Sequence, residues 1–380
     1  MDVLGLSIII PLLPFYAEHF GASATVVGTL VSSYAFCQLI AGPILGRLSD
    51  RMGRKPLLIV SQIGTCIGFL ILAGAQSLWM VFLSRIIDGA TAGNLSLAQA
   101  YIADVTKPEE RTKSFAVIGI AFGIGFLIGP ALSGFLSQYS YTYPILVAAA
   151  LSAGSVLCTT FLLPSVEPHT GGPVGPGGRR VDILDWKSYG QYFTRPALGP
   201  LLLQFFFFAF SFSMFVNGFA LFAQRRFTWN GKPFDAMHVG FVLAWVGFLG
   251  IIIQGGLVGR LVKKFGELAL VRSGFAVTAV TAFWLARITS VPELIANTGV
   301  SSFGSGVVRP ALTALITHKA EKHEQGVVLG LTQSITSITQ IVAPVLAGAL
   351  IDRGWLGAWA CGVGLVAAFG ALAAHRYRTN

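Results

Sequence analysis

Long apolar runs recur along the whole chain and constrain its fold more than any other feature. The chain has 380 residues, of which 54% are hydrophobic and only 11% are charged, and its mean hydropathy is +0.72. A soluble protein of this size needs more polar surface than this composition supplies. Each run is long enough to cross a bilayer as a helix, which takes about 20 residues. The sequence therefore predicts an all-α membrane protein with many spanning helices.

Twelve such runs predict twelve transmembrane helices in two pseudo-symmetric halves. A polar segment separates an N-terminal six-helix half (1–163) from a C-terminal six-helix half (197–380), and this cytoplasmic linker covers 164–196. It is rich in glycine and proline, and Trp186–Tyr192 within it predicts a short interfacial helix. The predicted spans are 2–20, 24–45, 57–76, 78–103, 113–138, 142–163, 197–223, 237–259, 267–286, 291–316, 325–351 and 355–374.

The net charge of +10 indicates membrane topology rather than a nucleic-acid partner. Most of the 26 Lys and Arg residues lie in the loops after spans two, four, six, eight and ten and in the C-terminal tail. Because cytoplasmic loops carry an excess of Lys and Arg, this bias places both termini in the cytoplasm. We expect a monomer in the cell membrane. The lipid bilayer is an expected partner, and nucleic acid is not.

Two motifs of the first half return in the second at a near-constant offset. The first is a charged loop after the second span, where Gly46-Arg47-Leu48 and Gly53 return 213 residues later as Gly259-Arg260-Leu261 and Gly266. The second lies in the fifth span of each half, where Gly129–Gly134 returns 214 residues later as Ala343–Gly348. Repeated halves are typical of secondary transporters. The second loop has lost its acid, so we expect functionally unequal halves.

No motif in the chain predicts an enzyme, a metal site or a cofactor. The sequence contains no Gly-x-x-x-x-Gly-Lys-(Ser/Thr) loop and no nucleophile triad. The four cysteines lie inside apolar runs without metal or redox spacing, and these are Cys37, Cys66, Cys158 and Cys361. We therefore expect no ATP hydrolysis by this chain.

The charged segment between the second and third runs resembles the loop signature of the major facilitator superfamily, Gly-x-Leu-(Ala/Ser)-Asp-Arg-x-Gly-Arg-(Arg/Lys). Without the resemblance, a positively charged cytoplasmic loop is the simpler interpretation. The resemblance implies a gate formed by Gly46, Asp50, Arg51, Gly53 and Arg54.

Asp104, at the cytoplasmic end of the fourth span, belongs to the same implied gate. By resemblance it pairs with the Arg51–Arg54 cluster and locks the outward-facing state. Ordinary solvation of this acid is the alternative.

Arg85 and Asp88 lie three residues apart in the fourth span, so they share a helix face and can pair. Pairing lowers the cost of holding either charge inside a membrane. A purely structural ion pair is one interpretation. The run also resembles the superfamily's fourth-helix motif, Arg-x-x-(polar)-Gly, although Asp88 stands where Gln is common. The resemblance implies that Arg85 tunes a proton-carrying acid.

Asp2 begins a run, Asp2–Pro14, that resembles the first helix of the tetracycline-exporter subgroup, whose acid lies inside the membrane. The resemblance makes Asp2 a second candidate proton carrier, and a surface acid near a terminus is the alternative. The third span has no ionisable residue and the ninth has no acid deeper than Glu267, and these departures weaken the argument for tetracycline as substrate. Gly93–Ser96 resembles the tetracycline-transporter-like organic-anion carriers equally well.

The fifth span carries small residues at close intervals, together with one proline. Small residues let another helix approach closely, and proline bends the axis. The Gly-Pro-x-x-x-Gly arrangement also resembles the antiporter motif of drug-efflux members, which implies export. The residues of this antiporter-motif helix are Gly125, Gly129, Pro130 and Gly134.

Arg309 is the one cation well inside a C-terminal span. It is either a counter-charge for an anionic substrate or an anchor that snorkels or stacks on an aromatic ring. Other polar candidates for the wall of a substrate cavity are Asn94, Gln99, Asn217, Gln254 and Gln333. We predict a proton-coupled exporter of small amphipathic molecules. The alternatives are an organic-anion facilitator or symporter without obligatory proton antiport, and a non-transporting membrane receptor.

Overall fold

The structure is a computed structural model that describes residues 1–106, 111–164, 186–321 and 324–377. The chain forms two compact units. Unit 1 comprises Met1–Gly172 and Phe234–Gly247, and unit 2 comprises Pro173–Pro233 and Phe248–Asn380. Most of the predicted linker lies outside the described residues. Unit 1 also takes in the beginning of the eighth predicted span, which the predicted division at 164–196 does not include.

Unit 1 is built from seven helices and the first part of an eighth among its described residues. The helix α1 packs against α6 and α7, α3 packs against α4 and α7, and α2 packs against α4. Their bounds are α1 Asp2–His19, α2 Ala24–Met52, α3 Arg54–Ala73, α4 Leu78–Ala90, α5 Asn94–Val105, α6 Arg111–Ser137 and α7 Thr142–Leu162.

Unit 2 contains the remaining described helices and a two-stranded antiparallel hairpin. Within it α9 packs against α14 and α15, and α12 packs against α13 and α15. The hairpin turns at Asn230 and Gly231, which both have positive φ. The bounds are α8 Trp186–Thr194, α9 Gly199–Arg226, β1 Thr228–Trp229, β2 Lys232–Pro233, α10 Ala236–Ile252, α11 Val258–Phe265, α12 Glu267–Leu285, α13 Val291–Lys319, α14 Gln325–Asp352 and α15 Leu356–Arg376. A π-helical segment, Ile253–Leu257, joins α10 to α11.

Ten helices of the described residues are long and apolar enough to cross a membrane. The predicted fourth span, 78–103, is not continuous, because Thr91–Gly93 separates α4 from α5 and leaves both too short. The predicted tenth span corresponds to α13, which is long but too polar to be counted. The structure therefore agrees with an all-α membrane protein, and the count of twelve spans stays a prediction.

The charged segment after the second span is almost entirely helical, not the short loop that the sequence predicted. The helix α2 continues to Met52 and α3 begins at Arg54, so only Gly53 lies between them. Gly53 has φ +95° and ψ 151°, a conformation that is essentially restricted to glycine. A single glycine thus reverses the chain and brings Asp50 close to Arg54.

Candidate functional site

One guanidinium joins the ends of three helices in unit 1. Arg54, at the start of α3, places Nη1 2.6 Å from Oδ1 of Asp50 in α2 and donates through Nε to Oδ2 of Asp104 in α5 at 2.9 Å. Nη1 also donates to Oγ of Ser49 at 2.6 Å. All three charged side chains are about four-fifths buried, at 17–22% exposure. Charge-assisted hydrogen bonds of this length are strong, so the cluster fixes α2, α3 and α5 together at this end.

The other three residues of the implied gate, Gly46, Arg51 and Gly53, lie outside this cluster of side chains. Arg51 is exposed and takes no part in the network. Gly46 lies inside α2 with open space where a side chain would begin, and its carbonyl accepts a hydrogen bond from Ser49 Oγ at 2.7 Å. Its glycine is therefore not required by local packing, in contrast to Gly53.

A second ion pair is buried in α4. Nη1 of Arg85 lies 3.2 Å from Oδ2 of Asp88, and each side chain is 4% exposed. The guanidinium also lies 5.7 Å from the ring centre of Phe69 in α3. Gly68 makes room for the acid, because a Cβ there would lie 3.0 Å from Cβ of Asp88. Nη2 of Arg85 is buried without an acceptor in the described part of the chain, so one pair does not satisfy all the guanidinium donors.

The interruption between α4 and α5 is stabilised by Ser61 of α3. Its hydroxyl donates to the carbonyl of Thr91 and accepts from the amide of Gly93 at 2.8 Å. Non-helical backbone at membrane depth requires such internal partners. A second path connects the interruption to the ion pair, since the hydroxyl of Thr91 donates to the backbone carbonyl of Asp88 at 3.2 Å. Thr65 of α3 accepts from Asn94 Nδ2 at 3.4 Å.

Asp2 belongs to a buried polar cluster of three helices that sequence reasoning did not identify. Nε2 of Gln62 in α3 donates to Oδ2 of Asp2 in α1 at 3.0 Å and to Oγ of Ser155 in α7 at 2.9 Å. Oδ1 of Asp2 and Oε1 of Gln62 are buried acceptors with no donor within the described ranges. The available sequence signal was Gln62, a side-chain amide in an otherwise apolar run.

The glycines of the fifth predicted span bring α6 into direct contact with α1. Ser7 Oγ of α1 donates to the carbonyl of Gly125 at 2.7 Å, and a Cβ on Gly129 would overlap Ser7. Gly134 lies against the backbone of Met237, in the part of α10 that belongs to unit 1. Pro130 lies inside α6 without breaking it. Close helix packing thus explains the three glycines in this structure.

The six candidate cavity residues are divided between the two units. In unit 1, Gln99 is exposed, and Asn94 is half-buried at the start of α5. In unit 2, Asn217 is half-buried and donates to the carbonyl of Ser213 at 2.8 Å. The remaining three, Gln254, Arg309 and Gln333, are exposed. Exposure does not by itself place these side chains in a substrate cavity, so that assignment stays a prediction.

The chain matches the family model of the Major Facilitator Superfamily over residues 1–289 and 239–379. It is 31% identical to tetracycline resistance protein, class B, of Escherichia coli over 376 residues, which cover 96% of this chain and 90% of that protein. It is 28% identical to multidrug resistance protein 2 of Bacillus subtilis (strain 168), over 92% of this chain and 86% of that protein.

Solved structures agree on the fold. The human organic anion transporter MFSD10 (TETRAN) aligns with a TM-score of 0.72 at 22% identity, covering 98% of this chain and 96% of that one. A bacterial homologue of the human lysosomal transporter Spinster aligns with a TM-score of 0.76 at 14% identity, covering 98% and 94%. The chain therefore belongs to the major facilitator superfamily, whose members are membrane transporters and not enzymes.

Proposed function

We propose that the protein exports small amphipathic molecules by alternating access, in exchange for protons. The observation that carries the proposal is the buried Arg85–Asp88 pair, in a chain homologous to tetracycline and multidrug resistance proteins. Ionisable residues inside membrane helices are costly and mark ion or substrate pathways. The antiporter-like glycine and proline pattern of α6 supports export.

In this proposal Asp88 carries a proton and Arg85 sets how tightly it is held. Protonation would neutralise Asp88 and leave a buried guanidinium without its counter-ion, which is unfavourable. Arg85 would then favour another partner or another conformation, because its Nη2 already has no acceptor in the described residues. The hydrogen bond from the Thr91 hydroxyl to the backbone carbonyl of Asp88 gives this event a route to the interruption between α4 and α5.

Asp2 is the second proposed proton carrier, and Gln62 holds it. Two buried acceptors in this cluster have no donor in the described residues, Oδ1 of Asp2 and Oε1 of Gln62. A proton on Asp2 would turn its carboxylate oxygen into a donor, and Oε1 of the neighbouring Gln62 would be available to accept from it. Proton binding at this cluster would therefore remove a deficit of hydrogen bonds rather than create one.

The proposed gate is the Arg54 cluster, with Asp50 and Asp104 as its acids. Opening would require the ends of α2, α3 and α5 to separate, and so would break two charge-assisted bonds. We further propose two six-helix halves, 1–163 and 197–380, with 164–196 as a cytoplasmic linker. Both termini would be cytoplasmic, in a monomer of the cell membrane, as the distribution of cations supports.

Proton release from everted membrane vesicles tests this function. The vesicles are given an acid-inside pH gradient, and amphipathic cations or anions are added while internal pH is followed. We expect a transported compound to release protons from wild-type vesicles, and Arg85→Ala and Asp88→Asn to abolish the release. Asp235→Asn, an exposed acid outside the proposed machinery, is the control and should behave as wild type. Substrate movement without proton flux, unchanged in both variants, would refute antiport.

That last outcome would favour the second candidate function, an organic-anion facilitator or symporter without obligatory proton antiport. Arg309 supports it, because this exposed cation lies inside the long helix α13, beside Pro310. A fixed positive charge in a water-filled path suits an anionic substrate. Arg309→Gln should then raise the KM for anionic substrates and leave that for neutral ones unchanged.

A further inference from the structure

A hollow of about 510 Å³ lies between α12 and α15 in unit 2. Its lining residues follow helical spacing on both helices, so one face of each helix forms one wall. They are Arg272, Ala276, Ala279 and Val280 of α12 and Ala368, Ala371, Leu372 and His375 of α15. The four alanines are too short to fill the gap between two helix backbones. The hollow is therefore a consequence of side-chain size.

Aromatic rings close the helix pair beyond the alanines. Phe275 lies directly against Gly370, and Phe283 lies against Gly364. Two apolar side chains that line the hollow are largely exposed, Val280 at 66% and Leu372 at 57%. Because these helices are long and apolar enough to span a bilayer, such a surface faces hydrocarbon. The hollow is accordingly open to the tails of lipids.

Cations stand at the end of the hollow where α15 finishes. Arg272 donates from Nε to the carbonyl of Ala374 at 2.9 Å and from Nη2 to that of Tyr377 at 2.9 Å and that of His375 at 3.4 Å. These bonds cap the last turn of α15. They hold the guanidinium in place while Nη1 has no acceptor in the part of the chain that the structure describes. His375, which also lines the hollow, is exposed, and so is the next residue, Arg376.

We propose that this hollow binds an anionic phospholipid, with an acyl chain between the alanines and the phosphate against Arg272 and His375. The apolar part matches a lipid tail, and a preoriented guanidinium with free N–H donors matches a phosphate oxygen. Basic pockets between membrane helices bind anionic head groups in the same manner. A transported molecule is not required for this site, and the inference does not rest on the proposed export.

Native mass spectrometry tests the proposal with dioleoyl phosphatidylglycerol and dioleoyl phosphatidylcholine, which share acyl chains and differ in charge. The full-length protein is released from detergent in an equimolar mixture of the two lipids. We expect the anionic lipid to be retained roughly fivefold over the zwitterionic one, as one interfacial cation would produce. Equal retention by the wild-type protein would overturn the proposal.

Two variants and one control variant locate the lipid. Ala276→Trp fills the hollow and should reduce retention of both lipids, whereas Ala153→Trp, at an exposed alanine of α7, should not. His375→Glu does not remove the backbone carbonyl of residue 375, which accepts a hydrogen bond from Arg272. This variant should therefore abolish only the preference for the anionic lipid. Lipid retention that neither Ala276→Trp nor His375→Glu changes would contradict this site. So would a loss of retention in Ala153→Trp as large as the loss in Ala276→Trp.

Discussion

Gln62 shows how much one buried side chain determines at the residue scale. It is 3% exposed, and its single amide nitrogen serves both Asp2 and Ser155. The backbone carbonyl of Gln62 also accepts a hydrogen bond from the hydroxyl of Ser152 at 3.2 Å. Three helices thus depend on one polar residue of α3. A buried acceptor that loses its donor costs about 1–3 kcal/mol.

Gln62→Leu should therefore lower the stability of the protein by about 1–3 kcal/mol, because Asp2 and Ser155 lose their donor. The expected readout is a lower midpoint of thermal unfolding in detergent. Gln138→Leu is the matched control, since that amide is exposed and donates to the nearby carbonyl of Phe135. Equal midpoints for Gln62→Leu and wild type would show that the cluster does not stabilise α1, α3 and α7.

Gly53 and Gly266 show the repeat of the two halves at the scale of secondary-structure elements. Each ends one helix and begins the next without an intervening residue, Gly53 at φ +95°, ψ 151° and Gly266 at φ +80°, ψ 159°. The two glycines, which lie 213 residues apart in the sequence, thus have equivalent backbone conformations. The motif around Gly266 makes the same turn without an acid equivalent to Asp50, so the turn does not depend on the Arg54–Asp50 ion pair.

Gly53→Ala should destabilise the protein by about 1–3 kcal/mol, because a Cβ is strained in this backbone conformation. Gly46→Ala, seven residues earlier in α2, is the control: it has open space for a methyl group, and Ala is favoured over Gly inside helices by about 0.5–1 kcal/mol. Thermal midpoints should therefore move in opposite directions. A Gly53→Ala variant as stable as Gly46→Ala would refute the conformational argument.

A long-range ion pair in unit 2 matters at the scale of the whole molecule. Arg195, just before α9, forms two hydrogen bonds with Glu324, just before α14, at 2.7 and 3.0 Å. Glu324 is only 3% exposed, and Arg195 also stacks on Tyr192 at 4.6 Å. The hydrogen bonds from Arg195 to Glu324 raise the pKa of Arg195 above its usual value, so the cation is permanent. Residues 129 positions apart are thereby held together.

Arg195→Leu should destabilise unit 2 by about 2–3 kcal/mol, because the buried carboxylate of Glu324 loses the two hydrogen bonds that the guanidinium donates. This expected loss of stability is smaller than the loss for a fully buried ion pair, because the Arg195 side chain is 37% exposed. Arg195→Lys keeps the charge without the bidentate geometry and should lose less. Lys232→Leu, on the exposed hairpin, serves as control. Thermal unfolding measures the order, and equal loss in the Leu and Lys variants would contradict a charge-based role.

The sequence by itself determined the class of the protein, the positions of most helices and the glycine and proline repeats. These features depend on hydropathy and backbone preference, which act between residues close along the chain. The resemblance of the charged motifs also led to Arg54, Arg85 and Asp88.

Only the tertiary structure decided which groups meet. Gln62 contacts both Asp2 and Ser155, and Arg195 pairs with Glu324. Ser61 stabilises the interruption between α4 and α5, which the continuous apolar run 78–103 did not predict. The hollow between α12 and α15 likewise depends on alanines from two distant segments. Partners separated by tens of residues leave no local pattern, because their contact is set by how whole helices pack.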